Sequence, residues 1–197
     1  MTTEDRITAW LATQQAAMVA LLREMVDIDS GSYNKPGIDA VGAVVQRFMA
    51  AQGIPVETVR QEKHGDCLRA AVPWDGPQGN AGGNIVLMGH RDTVFPDGEA
   101  ERRPFTIRDG VAYGPGVADM KAGLVMNCFI LAAFHKFGGS PAPLLGLFTG
   151  DEEIGSPEGR AVIEAEARRA RVVFNSEPGR VSGNVVTGRK GGVFSAL

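Results

Sequence analysis

Acidic side chains and one histidine follow several apolar segments of this sequence, and together they could bind a metal ion. In chain order they are His90, Asp92, Asp119, Asp151, Glu152, Glu153 and Glu177. A single imidazole with several carboxylates is a ligand set that suits zinc, cobalt or manganese rather than copper or a thiolate site.

The spacing within GHRDT supports this interpretation, because His90 and Asp92 are two residues apart. On an extended chain they point to the same side, so Asp92 can accept the spare imidazole N–H and orient His90 as a ligand. Taken singly, each residue also has a structural explanation. His90 can be a packed strand residue, Asp119 a helix N-cap and Glu177 a turn acid before a proline, while the DEE run can be a solvated loop. Their shared position at the ends of predicted strands favours the metal site.

The elements that must position these residues are predicted from apolar patterning. The expected buried strands are NIVLMGH, PLLGLFTG and RVVFNSE, the expected buried helix is MKAGLVMNCFILAAFHKF, and IPVETVRQ and DCLRAAV are expected to pair as strands. One amphipathic helix is expected over about residues 7–25, a second over 38–51, and a third over PEGRAVIEAEARRA with its proline in the first turn. This alternation predicts an α/β fold, a three-layer α/β/α sandwich with a mostly parallel mixed sheet. Ligands in such sheets bind beyond the carboxyl ends of the strands.

Composition excludes several other classes of protein. The net charge of −3 and the scattered basic residues argue against a nucleic-acid partner. Cys67 and Cys128 are far apart, which favours neither a disulfide framework nor a cysteine zinc site. The polar start MTTEDRITAW and the expectation that no apolar run reaches membrane-spanning length favour a cytoplasmic protein with no membrane partner. GPGVAD lacks the third glycine of a dinucleotide fingerprint and is not a phosphate loop.

Four motifs resemble those of a known family when they are taken in order: GHRDTVFP, YGPGVADMKAG, TGDEEIGS and SEPG. The sequence resembles the di-zinc metallopeptidases that include glutamate carboxypeptidase, acetylornithine deacetylase and succinyl-diaminopimelate desuccinylase, and looks closest to the glutamate carboxypeptidase branch. This resemblance implies a metal-dependent hydrolase with two divalent ions, zinc before cobalt or manganese. Its substrate would be a small peptide or N-acyl amino acid, cleaved at an amide bond next to a free carboxylate.

The resemblance also implies a role for each matching residue. His90 and Glu177 would hold one metal ion, Glu153 would hold the second, and Asp119 would bridge both. The peptide bond after Asp119 would be cis, as it is in the family. Asp151 would either support the ligands without touching the metal or lie in solvent.

Two further roles concern catalysis rather than metal binding. Glu152 would be the general base, which takes a proton from the attacking water and returns it to the leaving amine. Asp92 would orient His90.

Family members are about twice this length. The resemblance therefore implies that residues 1–184 are the N-terminal part of the catalytic domain and that 185–197 begin a lid and dimerisation domain. The full-length enzyme would be a homodimer, and its second metal would receive a histidine that this chain lacks. The 197 residues alone are expected to be inactive. The alternative is a naturally short, non-catalytic protein that binds metal or a partner.

Overall fold

The computed structural model describes residues 1–74, 76 and 83–184. The predicted lid-domain segment, 185–197, lies outside the described residues. The helices are α1 (Thr3–Ala12), α2 (Gln15–Val26), α3 (Lys35–Ala51), α4 (Glu99–Arg102), α5 (Ala122–Phe137) and α6 (Arg160–Ala167). The strands are β1 (Val56–Val59), β2 (Cys67–Ala71), β3 (Asn84–His90), β4 (Thr106–Arg108), β5 (Val111–Tyr113), β6 (Leu144–Thr149) and β7 (Ala170–Asn175).

The central sheet has the strand order β1-β2-β6-β3-β7 within the described residues. Strand β3 pairs in parallel with both β6 and β7, whereas β1 with β2 and β2 with β6 are antiparallel. The mixed sheet with flanking helices confirms the predicted α/β fold, although only two of these four pairings are parallel. The three parallel strands are the ones that lead to the candidate site residues.

Apolar side chains fill both faces of the sheet, which accounts for the continuous apolar pattern of β6. All six residues of β6 are buried. On one face Phe148 packs in a large core with helices α2, α3 and α5. On the other face Leu145 and Leu147 pack against Val162 and Ile163 of α6. Burial on two sides removes the alternation that a half-exposed strand would show.

Helix α5 lies in the core. Together with the turn before it, the helical segment Val117–Phe137 is long and apolar enough to cross a membrane, so the expectation that no segment reaches that length is wrong. However, 61% of its most apolar window is buried inside the protein. Contacts with the sheet and with α1 and α2 explain the apolar surface of α5 on nearly all sides.

Three local expectations are corrected. The N-terminal helix is divided in two, because the Thr13 N–H and hydroxyl both bond to the Trp10 carbonyl and close α1 before α2 begins. Helix α6 begins at Arg160, so the proline at 157 lies before it rather than in its first turn. The β4–β5 hairpin was not predicted, although its turn residues Asp109 and Gly110 both have positive φ, as a type I′ turn requires.

Arg91 connects the end of β3 to three other parts of the fold. Its side chain is 1% exposed and donates hydrogen bonds to the carbonyls of Ile38 (2.9 Å), Thr149 (3.3 Å) and Asp66. The carbonyls belong to α3, to the end of β6 and to the residue before β2. A cation that satisfies three buried carbonyls at once fixes the rim from which the site residues project.

We expect Arg91→Met to lower the free energy of unfolding by about 3 kcal/mol, because methionine fills the space but removes three buried side-chain hydrogen bonds, although the Thr149 carbonyl keeps its bond from the backbone N–H of residue 91. Urea denaturation measures the loss. The control is Arg168→Met, whose side chain is 77% exposed and pairs only with Glu164, and which is expected to cost about 0.5 kcal/mol. A loss for Arg91→Met no larger than the control's would show that the buried network contributes nothing.

Candidate metal centre

Three parallel strands end at one edge of the sheet and bring the predicted site residues together there. His90 is the last residue of β3, Glu152 begins a short 3₁₀ turn after β6, and Glu177 follows β7. Asp119 lies in the turn that leads into α5, with a cis peptide bond between it and Met120. The rim position and the cis bond are as predicted.

The imidazole of His90 faces three carboxylates. Its Nε2 atom lies 3.3 Å from Asp119 Oδ1, 3.3 Å from Glu177 Oε1 and 3.7 Å from Glu152 Oε2. One ligand atom each from His90, Asp119 and Glu177 can be chosen so that all lie within 4.8 Å of one another. Nε2 is buried and makes no hydrogen bond. A buried nitrogen without a partner, surrounded by carboxylates, fits a divalent cation.

The other nitrogen of His90 is held by Asp92. Nδ1 lies 2.9 Å from the Asp92 carbonyl oxygen and 3.3 Å from Oδ1 of the same residue. The Asp92 carboxylate is fully buried and accepts bonds from the Ser32 hydroxyl (2.7 Å) and from the backbone N–H groups of Glu152 and Glu153 (3.1 Å each). In the neutral imidazole a proton held on Nδ1 would leave Nε2 unprotonated and facing the acids.

The pKa values of His90 and Asp92 shift in opposite directions, and both shifts favour the charged form. Burial by itself lowers the pKa of His90, but the hydrogen bond and charge of Asp92, with the charges of Glu152 and Glu177, outweigh it and raise that pKa to about 9. Burial raises the pKa of Asp92, yet its bonds from His90 and Ser32 hold that pKa below its usual range. Without a metal ion, the acids of the rim therefore keep His90 in its cationic form, with both ring nitrogens protonated, near neutral pH.

Two of the acids resist ionisation. Burial raises the pKa of Glu153 to about 7, and repulsion from Asp119, Asp92 and Glu152 adds to this, while the charge of His90 opposes it. Burial likewise raises the pKa of Glu177, with further repulsion from Asp119 and Glu152. One imidazolium does not neutralise this many carboxylates, whereas divalent cations would stabilise their charged forms.

Ligands for a second ion are fewer in the part of the chain that the structure describes. Glu153 does not belong to the cluster that His90, Asp119 and Glu177 form. Neither remaining histidine compensates. The Nδ1 atom of His64 lies 3.2 Å from the Ser32 carbonyl oxygen, and His135 is in the last turn of α5.

Three residues that support the site were not predicted or were given another role. Ser32 bonds to Asp92, although 60 residues separate them. Lys121 is buried and donates to the Ile28 carbonyl (2.9 Å), which ties the turn containing Asp119 to the segment after α2. Asp151 is not solvated. It is buried, and its Oδ2 accepts the N–H groups of residues 158 and 159 at 2.8 Å each, which fixes the loop after β6. None of the three contacts had a recognisable sequence signal, since Asp151 lies well before α6, whose N-cap is Gly159.

Known proteins share both the sequence and the fold. Residues 86–190 match the peptidase family M20/M25/M40. Carboxypeptidase G2 of Pseudomonas sp. (strain RS-16) is 31% identical over 176 residues, which cover 88% of this chain and 42% of that protein.

Solved structures share the fold of this chain. Human carnosine dipeptidase 1 has a TM-score of 0.74 at 19% identity, covering 92% of this chain and 42% of its own. The M20 family metallo-carboxypeptidase Sso-CP2 from Sulfolobus solfataricus has a TM-score of 0.66 at 20% identity, covering 82% and 37%. The chain thus spans about two fifths of these relatives. The matched residues, 86–190, make up more than half of the chain and include every candidate site residue. The chain belongs to peptidase family M20/M25/M40.

Proposed function

We propose that this chain supplies the metal-binding part of a hydrolase that cleaves an amide bond next to a free carboxylate, in a small peptide or an N-acyl amino acid. The observation that carries the proposal is the buried Nε2 of His90, which has no hydrogen bond and faces three carboxylates. The substrate class rests on the relatives, two of which are described as carboxypeptidases and one as a dipeptidase.

In this proposal His90, Asp119 and Glu177 would hold one ion, and Glu153 would hold a second together with Asp119. Zinc, or alternatively cobalt or manganese, would supply a Lewis acid that polarises the substrate carbonyl and acidifies water. The carbonyl and the buried carboxylate of Asp92 would keep the remaining His90 proton on Nδ1 when Nε2 binds the ion.

Glu152 is the group that moves protons. Its backbone is fixed by the N–H bond to Asp92, while its side chain is partly exposed on the same side as His90 Nε2. An anchored backbone with an accessible carboxylate suits a base that accepts a proton from water and donates it to the leaving amine. The neighbouring Glu153 is more buried and suits a ligand.

The test begins with the natural gene product, purified from its source cells. We expect hydrolysis of N-acyl amino acids or dipeptides that EDTA abolishes and zinc restores. The intact mass is measured in the same sample. A mass near 20.9 kDa with bound zinc and no hydrolysis would favour the short non-catalytic metal-binding protein. Absence of both metal and hydrolysis would overturn the proposal. Cytoplasmic location and a homodimeric full-length enzyme belong to the proposal and are checked by fractionation and light scattering.

We also expect the zinc affinity of the chain to rise with pH between 6 and 8. The pKa of His90 is about 9 in the metal-free site, so zinc must displace its proton throughout this range. Affinity should increase about tenfold per pH unit from this one proton, and more steeply below the Glu153 pKa of about 7. Isothermal titration in two buffers of different ionisation enthalpy measures the released proton. An affinity that does not change between pH 6 and 8 would contradict the assignment of His90 as a ligand.

A further inference from the structure

A cleft of about 570 Å³ opens beside the candidate metal centre. Its walls come from the loop between α2 and α3, from the segment after β3 and from the turn after β6. The residues that matter for its chemistry are Tyr33, Val94, Phe95, Pro96, Glu153 and Ile154. A volume of several hundred cubic ångströms, mostly apolar walls and a few polar groups are typical of a small-molecule subsite.

The cleft shares two of its residues with the metal centre. Ser32 and Glu153 line it, and both donate hydrogen bonds to the Asp92 carboxylate, from the Ser32 hydroxyl and the Glu153 backbone N–H. A group bound in the cleft would therefore lie next to residues of the proposed metal centre. This continuity distinguishes it from the other surface depressions of the described residues.

Backbone contacts hold the cleft open in one shape. The Thr93 N–H donates to the Ser30 carbonyl (2.8 Å), and the Ser32 N–H donates to the Thr93 carbonyl (3.2 Å). Gly31 lies between them, where an added Cβ would come within 2.5 Å of the Phe95 carbonyl oxygen. Because the two segments approach this closely, the floor of the cleft is preformed rather than assembled by a ligand.

The charge of the cleft limits what it can accept. Its acidic lining residues are Asp97 and Glu153, and no lysine or arginine is among the described residues that line it. Asp97 is engaged by the Asn34 side-chain amide (2.6 Å). A carboxylate placed here would lie beside Asp97 and Glu153. An uncharged apolar group would instead cover Val94 and Phe95, whose ring already has the Arg103 guanidinium 4.9 Å from its centroid.

We propose that this cleft is the subsite for an uncharged, apolar group of the substrate, of about the size of a phenyl or branched aliphatic group, and that it selects against an acidic group at that position. The inference rests on the proposed hydrolase function, because it assigns the cleft to that reaction's substrate. It narrows the substrate class to peptides or N-acyl amino acids with a bulky apolar group on the side of the scissile bond that faces Glu153.

The test uses the 197-residue chain in EDTA and ¹⁹F NMR of N-acetyl-4-fluoro-L-phenylalanine amide. This probe has no carboxylate and therefore reports on the cleft independently of any metal. We expect saturable binding, with N-acetyl-L-glutamic acid α-amide at least tenfold weaker in competition. In Val94→Asp, where the native side chain is 68% exposed, binding should weaken at least fivefold. The matched control is Val111→Asp, at a 52% exposed position on β5 outside the cleft, and should bind as the wild type does.

A second variant, Tyr33→Ser, removes a ring that is 82% exposed and is also expected to weaken binding. Equal binding by Val94→Asp and wild type, or equal competition by the acidic amide, would overturn the subsite. Zinc titration of the same samples separates the two ideas. Binding of the probe without binding of zinc would support the apolar binding cleft and contradict the proposed metal-dependent hydrolase. Binding of zinc without binding of the probe would contradict the apolar subsite and leave the proposed hydrolase in place.

Discussion

Replacing Glu152 with glutamine is expected to lower kcat by about 10²- to 10⁴-fold while zinc remains bound, since that is the usual contribution of a general base. Glutamine keeps the size of the side chain and its backbone bond to Asp92, but its amide cannot accept a proton from water. The proposed ligands His90, Asp119 and Glu177 are unchanged. The measurement is kcat on an N-acyl amino acid, with zinc content determined by mass spectrometry in the same preparation of the natural gene product.

Glu101→Gln is the matched control, an acid-to-amide change at an exposed position on α4, and should leave both quantities unchanged. The two readouts separate the possible roles of Glu152. Wild-type kcat in Glu152→Gln would remove Glu152 from proton transfer. Loss of zinc together with activity would make it a ligand, which its 3.7 Å distance from His90 Nε2 would then explain.

The position of the site was predictable because strands buried on both faces have a recognisable, largely apolar sequence. NIVLMGH and PLLGLFTG are apolar along their whole length, since helices cover both faces of the sheet, and the structure places β3 and β6 there as parallel neighbours. Polar residues directly after such strands must lie at the carboxyl edge of the sheet. His90 and Glu152 follow this rule, so identifying the two strands was enough to predict that these residues lie close together.

The contacts that support the site could not be predicted in the same way. Asp92 joins Ser32 to the acidic loop across sequence separations of about 60 residues. No local pattern in one of these segments predicts that it contacts the others. The Arg91 side chain points to the opposite side of the chain from His90 and Asp92, toward the carbonyls of Ile38 and Asp66. Its position between two site residues was visible, but its partners depend on how α3 packs against β2.

Short elements were the other weak point. The N–H and the hydroxyl of Thr13 close α1 at the break before α2, whereas the apolar spacing of the two helices resembles that of one continuous helix. Strands β4 and β5 have three residues each, which is too few for alternation to identify a strand. The Asp109-Gly110 turn was the better signal, because both residues take the positive φ angles that a two-residue hairpin needs.

Replacing His90 with alanine is expected to weaken zinc binding by at least about 100-fold, because loss of an outer-shell partner alone typically costs 10- to 100-fold. The variant loses the one nitrogen ligand of the described cluster, and the acids that remain repel one another. Zinc-dependent stabilisation gives a direct readout. At a zinc concentration 100 times the wild-type Kd, bound metal stabilises the wild type by about 2.7 kcal/mol, and a 100-fold weaker variant by about 0.4 kcal/mol.

His135→Ala is the control, a histidine in the last turn of α5 outside the cluster, and should retain the full zinc-induced shift. Circular dichroism in EDTA shows whether His90→Ala keeps its fold, since Asp92 loses its imidazole partner while its bonds from Ser32, Glu152 and Glu153 remain. A zinc-induced shift in His90→Ala equal to that of the wild type would remove His90 from the ligand set. The unbonded Nε2 would then need another partner, and the hydrolase proposal would lose the observation that carries it.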